Sequence, residues 1–182
     1  MKITVDTCVL YPTVMREIVL GVAATGAFEP VWSARILEEW ARAAIKLGPD
    51  GALQARSEIA LLRAAWPAAE TPAAPHVEQR LWLPDPHDIH VLATAVSTSS
   101  DAIMTLNAKD FPKGTLAEEG LRRLPPDEFL YTQWCAAPDA VAEVAARVLD
   151  QAQRLSGKGW DMRALLKKAR LPRLAKALAS RG

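Results

Sequence analysis

Cysteine is scarce in this chain, whose 182 residues include only Cys8 and Cys135. Their spacing fits neither a zinc site nor the disulfide framework of a small secreted domain, so both are predicted to be free thiols. Long apolar runs are absent too: the longest uncharged one covers residues 18–28, whereas a membrane-spanning helix needs roughly 20 residues. These absences exclude a disulfide-stapled scaffold and a membrane-spanning segment.

Motifs of several large enzyme classes are also missing. The chain has no glycine-rich phosphate loop, no nucleophile elbow and no serine, histidine and aspartate in the order of a serine hydrolase. The N-terminus reaches Asp6 before any apolar stretch begins, so we expect no secretory signal and a cytoplasmic location. With 50% apolar and 24% charged residues the composition is globular, and the length predicts one domain with an appendage.

Charge is distributed unevenly, although the formal net value is only +1. Residues 1–153 carry 13 basic and 20 acidic side chains, whereas residues 154–182 carry nine basic side chains against Asp161 alone. An acidic body with a basic tail indicates either a polyanionic partner or basic helices that pack back onto the acidic body. The sequence leaves both interpretations open.

The periodicity of the first third predicts alternating strands and helices. Residues 2–6 form a short β-branched strand, and apolar residues at helical spacing follow it. A second extended segment is expected at 30–32, with Ser33 as the N-cap of a helix that continues to Leu47. Another helix is predicted over 52–65.

An exposed, proline-punctuated loop is predicted from Pro67 onward. Beyond it a helix begins near Ile89, and buried strands are expected at 101–106 and 121–124. Strand, helix and strand at this spacing predict a parallel sheet with right-handed crossovers. The rest of the chain is helical in pattern, and Pro172 is predicted to divide its last helix.

The predicted fold class is therefore α/β. We expect a three-layer α/β/α domain of Rossmann-like type over residues 1–130, with a central parallel sheet. A helical C-terminal extension over 131–182, basic from residue 154, completes the predicted domain organisation.

Acidic side chains cluster near the predicted strand ends and helix starts. Ligands of open parallel sheets bind outside the carboxyl ends of the strands, so these acids are expected to converge. At about 4 Å and an effective dielectric near 20, each like-charge pair repels by roughly 4 kcal/mol, so the cluster requires a cation or a proton. Carboxylates with few nitrogen or sulfur ligands favour Mg²⁺ or Mn²⁺. The acids concerned are Asp6, Glu38, Glu39, Asp85, Asp88 and Asp110.

Four short stretches occur in order at these positions. They are Val5-Asp6-Thr7-Cys8-Val9-Leu10, Ser33-Ala-Arg-Ile-Leu-Glu-Glu39, Asp85-Pro-His-Asp88-Ile-His90-Val-Leu-Ala-Thr-Ala95 and Met104-Thr105-Leu-Asn107-Ala-Lys-Asp110-Phe111-Pro112. Together they resemble a PIN domain over about residues 1–130. More narrowly, they resemble the VapC-type ribonuclease toxins, in the branch with an added helical C-terminal region.

The resemblance implies a role for each matching residue. The catalytic acids it implies are Asp6, Glu39, Asp88 and Asp110, of which Asp6, Asp88 and Asp110 would hold the metal. Glu39 is preferred over Glu38 because the acid of this family follows its serine by six positions, as Glu39 follows Ser33. Thr7 and Asn107 would be polar supports that contact the substrate. Ile89 stands where this branch often has arginine, so a role of that arginine has no counterpart here.

Structural roles compete with functional ones at several positions. Asp85, followed by Pro86, fits a helix cap. His87 and His90 lack further histidine or cysteine neighbours, so local packing or hydrogen bonding is favoured over a zinc site. The six tryptophans could stack on bases, but most occupy apolar positions typical of a core or an interface.

The leading hypothesis is a divalent-metal-dependent endoribonuclease that hydrolyses RNA phosphodiester bonds. The resemblance implies that it is the toxin of a toxin-antitoxin pair, with RNA as substrate, a cognate antitoxin protein as partner and a homodimer as its assembly. The alternative is a non-catalytic PIN-fold RNA-binding module, against which the four filled acidic positions argue. An aspartyl phosphatase or receiver-like domain is disfavoured, because Cys8 stands where a phosphatase would have a second acid.

Overall fold

The computed structural model describes residues 1–180, and the two remaining residues of the basic tail, Arg181 and Gly182, lie outside the described residues. The strands are β1 (Lys2–Val5), β2 (Glu29–Ser33), β3 (Glu70–Thr71), β4 (Ala102–Met104) and β5 (Arg122–Leu124). The α-helices are α1 (Thr7–Leu10), α2 (Thr13–Ala23), α3 (Ala34–Ala44), α4 (Pro49–Ala65), α5 (Pro75–Glu78), α6 (Ile89–Ser97), α7 (Lys113–Glu118), α8 (Pro126–Ala136), α9 (Pro138–Ser156), α10 (Met162–Lys168) and α11 (Pro172–Ala179). Short 3-10 turns cover Ile45–Leu47 and Pro86–Asp88.

The chain divides into two compact units that are not continuous in sequence. The first comprises Met1–Tyr11 and Glu29–Arg123, and the second comprises Pro12–Phe28 and the chain from Leu124 onward. Helix α2 therefore groups with the C-terminal helices. We predicted a domain over 1–130 and an extension over 131–182. The compact units describe packing and do not test whether these two parts fold separately, so this division stays a prediction.

The first unit is built on a parallel sheet. Its five strands have the order β3-β2-β1-β4-β5, and the ladders between β3 and β2, β2 and β1, and β1 and β4 are parallel. In the register of the sheet, Ile3 of β1 lies opposite Pro30 of β2 and Ala102 of β4. The chain thus leaves β1 on one side to form β2 and returns on its other side as β4, so the carboxyl end of β1 is the topological switch point.

The central strands are buried on both faces. Ile3 and Val5 of β1, and all three residues of β4, have no exposed surface. Continuous burial of this kind is typical of parallel sheets that carry helices on both faces. The predicted α/β class, with a central parallel sheet and a helical C-terminal part, is confirmed.

The local predictions for α3 are confirmed, whereas α4 begins earlier than predicted. Ser33 caps α3, since its hydroxyl accepts a hydrogen bond from the Ile36 amide. Helix α3 ends at Ala44 and passes into a 3-10 turn that ends at Leu47, close to the predicted end. Helix α4 begins three residues before the prediction, because Pro49 is at its first turn, where the fixed φ of proline suits a helix.

The prediction of an exposed loop from Pro67 onward is wrong in part. The segment contains β3 and α5, and the Trp32 amide donates to the Ala69 carbonyl at 2.9 Å. Ala69 and Ala74 are buried. A two-residue strand is too short to produce a detectable alternation of apolar and polar residues, so the pairing with β2 could not be predicted from periodicity.

The second unit is helical. On α9 the buried residues recur at helical spacing, namely Val141, Val144, Ala145 and Val148. Phe28 meets Phe129 of α8 edge to face, with ring centroids 5.3 Å apart. Pro172 begins α11, which confirms the predicted break in the last helix. Within residues 1–180, no helix combines the length and the apolar character that crossing a bilayer requires.

Gly21 marks the close approach of α2 to α9. A Cβ atom at this position would lie 2.5 Å from Cγ1 of Val144. Alanine normally stabilises a helix relative to glycine, but here we expect Gly21→Ala to destabilise the fold by about 1–3 kcal/mol because of overpacking. Urea unfolding measures the change, and Val144→Ala should recover part of the loss in the Gly21→Ala background. Simple additivity of the two losses would contradict the steric explanation.

Candidate functional site

The carboxyl ends of β1 and β4 meet at the switch point of the sheet. Asp6 follows β1 directly, and its amide donates to the Met104 carbonyl at the end of β4, at 3.1 Å. Thr105 and Asn107 follow β4. Asp6 and the loop after β4 therefore meet at the edge where the sequence predicted them.

Asp6 is buried, with 6% of its surface exposed. Its Oδ2 accepts hydrogen bonds from Thr105 Oγ1 at 2.6 Å and from Cys8 Sγ at 2.9 Å. Burial, together with the neighbouring Asp6 carboxylate, raises the pKa of Cys8 to about 12. Cys8 therefore remains a protonated donor and not a thiolate ligand. Both cysteines are free, as predicted.

Three half-buried aspartates form the tightest acidic group at this edge. One carboxylate oxygen from each of Asp85, Asp88 and Asp110 lies within 4.8 Å of the others. Asn107 links two of them, because its amide nitrogen Nδ2 donates to Asp110 Oδ2 at 2.7 Å and to Asp88 Oδ2 at 3.2 Å. The backbone N–H of Asn107 in turn donates to Thr105 Oγ1 at 2.9 Å. A continuous network therefore connects Asp6 with this aspartate group.

The electrostatics of Asp88 show how closely the acids converge. Its pKa is raised to about 6 by burial first, and then by the charges of Asp6, Asp85, Asp110 and Glu39. Four neighbouring carboxyl groups thus act on Asp88, as like charges held close together do. The crowding makes the ionised form of Asp88 costly in the metal-free protein.

Glu39 approaches the cluster from α3. Its Oε1 lies 2.7 Å from His90 Nε2, and its Oε2 lies 3.1 Å from the Thr7 hydroxyl. The Thr7 hydroxyl also lies 2.9 Å from the Ile36 carbonyl oxygen. Its single hydrogen can be donated either to Glu39 Oε2 or to that carbonyl oxygen. Burial acts to raise the pKa of Glu39, but the hydrogen bond and electrostatic attraction from His90, the hydrogen bond from Thr7 and the charge of Arg35 outweigh it and hold that pKa below its usual value. Glu39 is therefore an ionised acceptor.

Glu38, the neighbour of Glu39, has a different environment. Its carboxylate pairs with Arg56 at 3.2 Å and with Arg42 at 3.6 Å on the outer side of α3. The hydrogen bond from Arg56 is the main reason why its pKa is lowered. The structure thus separates two adjacent acids that residue spacing alone could not distinguish.

His90 is the buried member of the predicted histidine pair, with 2% of its surface exposed, whereas His87 is exposed. Its Nδ1 is buried and has no hydrogen-bond partner among residues 1–180. Because an ionised carboxylate can only accept, Nε2 carries a proton and donates it to Glu39. The predicted hydrogen-bonding role of His90 is confirmed.

Asp85 has both of the roles that the sequence analysis set against each other, the helix cap and the acidic cluster. Its Oδ1 accepts from the His87 amide at 2.9 Å, which confirms the predicted cap. Asp85 nevertheless also contributes an oxygen to the aspartate group. Asp85 precedes Asp88 by three positions, and residues i and i+3 share a helical face. This spacing is the sequence signal for its place in the aspartate group.

The aspartate group fits a hard cation. Its donor atoms are all carboxylate oxygens, the ligands that divalent ions of the magnesium type prefer. A bound cation would also relieve the repulsion that raises the pKa of Asp88. The predicted substrate contacts of Thr7 and Asn107 stay predictions, and in the structure both side chains hydrogen-bond to the site carboxylates.

Comparison with protein families identifies the fold directly. The family model of the PIN domain matches residues 2–109, more than half of the chain. Comparison with curated proteins and with solved structures found no match. The matched segment includes Asp6, Glu39, Asp85 and Asp88, and it ends one residue before Asp110. With four of the five strands and most of the acidic edge inside this segment, the chain belongs to the PIN domain family, whose fold is typical of nucleases.

Proposed function

We propose that this protein is a divalent-metal-dependent endoribonuclease that hydrolyses RNA phosphodiester bonds. The proposal rests on one observation: five carboxyl groups from four segments of the chain converge at the switch point of the sheet in a PIN domain. A site so rich in like charge is costly for the fold, and it suits a cation and the phosphate that the cation would bind.

The proposed metal ligands are Asp88 and Asp110, with Asp85 and Asp6 as the neighbouring carboxylates able to complete the set. An oxygen-only donor set favours Mg²⁺ or Mn²⁺. When bound, such an ion lowers the pKa of a coordinated water and offsets negative charge that develops on the phosphate.

The other side chains hold these acids in place. Asn107 orients Asp88 and Asp110 through the two hydrogens of its amide, and Thr105 and Cys8 orient Asp6. Glu39, ionised and half-buried, can accept a hydrogen bond from a water molecule beside the acids. Thr7 supports Glu39, and we propose that Thr7 and Asn107 also contact the RNA.

We further propose that the nuclease is a VapC-type toxin that acts in the cytoplasm. The four ordered motifs support this role, and they imply an antitoxin protein that covers the acidic edge. A homodimer is part of the proposal. The first unit exposes several large apolar side chains of a kind that subunit interfaces bury, each 60–71% exposed, namely Ile45, Leu47, Leu53 and Leu61.

The test is cleavage of a mixed RNA pool by the purified protein in EDTA, Mg²⁺ or Mn²⁺. An Asp88→Asn variant prepared in parallel detects any co-purifying nuclease. We expect cleavage with either ion, none in EDTA, and none by the variant. Equal cleavage by the variant would overturn the assignment. Binding of RNA without cleavage, by folded protein free of any inhibitor, would instead favour a non-catalytic RNA-binding module.

A further inference from the structure

The two last helices form a hairpin whose charged side chains are all basic. We call Met162–Ala179, which contains α10 and α11, the basic hairpin. It contains no acidic residue. Its six cations are all exposed, namely Arg163, Lys167, Lys168, Arg170, Arg173 and Lys176.

The nearest acids are engaged in capping the helices. Asp161 accepts from the Ala164 amide at 2.9 Å at the start of α10. Asp127 accepts from the amides of Arg173 and Leu174 at 2.9 and 3.0 Å at the start of α11. Within the part of the chain that the structure describes, none of the six cations forms an ion pair. Their charge is therefore available to a partner.

The hairpin packs through its apolar side, and two of its cations, Lys168 and Arg173, also lie over aromatic rings. The hairpin buries Leu165, Leu166, Leu171 and Leu174, each at most 4% exposed. The two helices contact each other and the helices of the second unit through this apolar side. Of the two interpretations of the basic tail, the structure therefore favours a surface for a polyanion.

Arg170 occupies a backbone conformation that favours glycine. Its φ is +61°, and it ends α10 with the Leu171 amide donating to the Leu166 carbonyl at 2.9 Å. Glycine is the usual residue at such a left-handed helix end, because it has no Cβ to crowd the backbone. The chain thus carries a cation where the fold alone would favour glycine.

Aromatic rings lie beside two of the cations. The Arg173 guanidinium is 4.3 Å from the centroid of the Tyr131 ring, which stacks on Trp134 at 6.1 Å and 20°. Lys168 Nζ is 4.9 Å from the Trp160 ring. These cation–π contacts hold the charged groups beside the rings without neutralising them, so the cations remain available to phosphates.

We propose that the basic hairpin binds single-stranded RNA through its phosphates. This inference rests on the proposed function only for the identity of the polyanion. The exposed charge, the arginine at a glycine position and the neighbouring rings carry it independently of catalysis.

The test is fluorescence anisotropy of the full chain with a fluorescein-labelled oligouridine in EDTA, over a series of salt concentrations. The hairpin variant combines Lys167→Gln with Arg170→Gly. The matched control, Lys46→Glu, lowers the net charge by the same two units at an exposed position of the first unit. We expect the hairpin variant to bind about tenfold more weakly, and its salt slope to fall by roughly 0.7 for each phosphate that it no longer neutralises.

Because Arg170→Gly relieves the backbone, the thermal midpoint of the hairpin variant should not fall. Weaker binding can then not be attributed to unfolding. Equal losses in the variant and the control, or no loss in either, would overturn the proposal. Binding of labelled polyglutamate in preference to RNA would also overturn it, in favour of an acidic protein partner. The measurement is made without cleavage, so its outcome is separate from that of the nuclease assay.

Discussion

Asp88→Asn is expected to raise the thermal midpoint of the metal-free protein and to lower metal-dependent RNA cleavage by more than about 100-fold. The loss should exceed the 10- to 100-fold loss that is typical when a residue that hydrogen-bonds to a metal ligand is changed. The gain in stability has an electrostatic cause, because the variant removes a charge that burial makes costly first, and that Asp6, Asp85, Asp110 and Glu39 then repel. Asparagine keeps the shape of the side chain.

The gain depends on pH in a defined direction. The pKa of Asp88 is about 6 in the folded protein and its ordinary value is 3.8. Between these values the folded state holds a proton that the unfolded state has lost, so this group's contribution to stability falls as pH rises through the window and stays low above it. The midpoint difference between Asp88→Asn and the wild type should therefore be small near pH 4 and largest above pH 6.

Divalent ions provide the complementary measurement. Mn²⁺ should raise the thermal midpoint of the wild type, since a ligand that binds only the folded state stabilises it, and should leave Asp88→Asn nearly unchanged. Asp150→Asn is a suitable control, because Asp150 is an exposed partner of Arg154 on α9. If the metal-free Asp88→Asn protein were less stable than the wild type, or responded equally to Mn²⁺, the account of the acidic cluster would be wrong.

The fold could be predicted where local chemistry and global packing agree. The β-branched run of β1, the Ser33 cap and Pro172 each act within a few residues, and the structure bears them out. The carboxyl edge followed from the alternation of strands and helices, which dictates where parallel strands end. Asp6 and the loop after β4 meet there for that reason.

What could not be predicted depends on residues far apart in the chain. Strand β3 exists because β2 offers it an edge, and its own two residues carry no pattern. The grouping of α2 with the C-terminal helices reflects packing against α9 at Gly21, more than a hundred residues away. Asp85 was interpreted mainly as a cap, because whether it also joins the aspartate group depends on the distant loop that carries Asp110.

The hydrogen bond between His90 and Glu39 also spans distant segments, and it leads to the second large expected effect. His90→Asn should lower RNA cleavage by about 10- to 100-fold, whereas His90→Gln should retain most of it. The reason is reach: the amide nitrogen of glutamine can occupy the position of Nε2, which lies 2.7 Å from Glu39, whereas that of asparagine can reach only the position of Nδ1. Both variants place a similar polar group in the same buried site.

The pH profile separates positioning of Glu39 from a general loss of stability. Without the donor, burial of Glu39 is less opposed, so its pKa rises in His90→Asn. Cleavage that requires ionised Glu39 should then begin at a higher pH in His90→Asn than in the wild type, with His90→Gln close to the wild type. Cleavage rates measured across pH at saturating metal test this, with thermal midpoints recorded for each protein. Equal rates and profiles for the two variants would show that His90 does not act through Glu39.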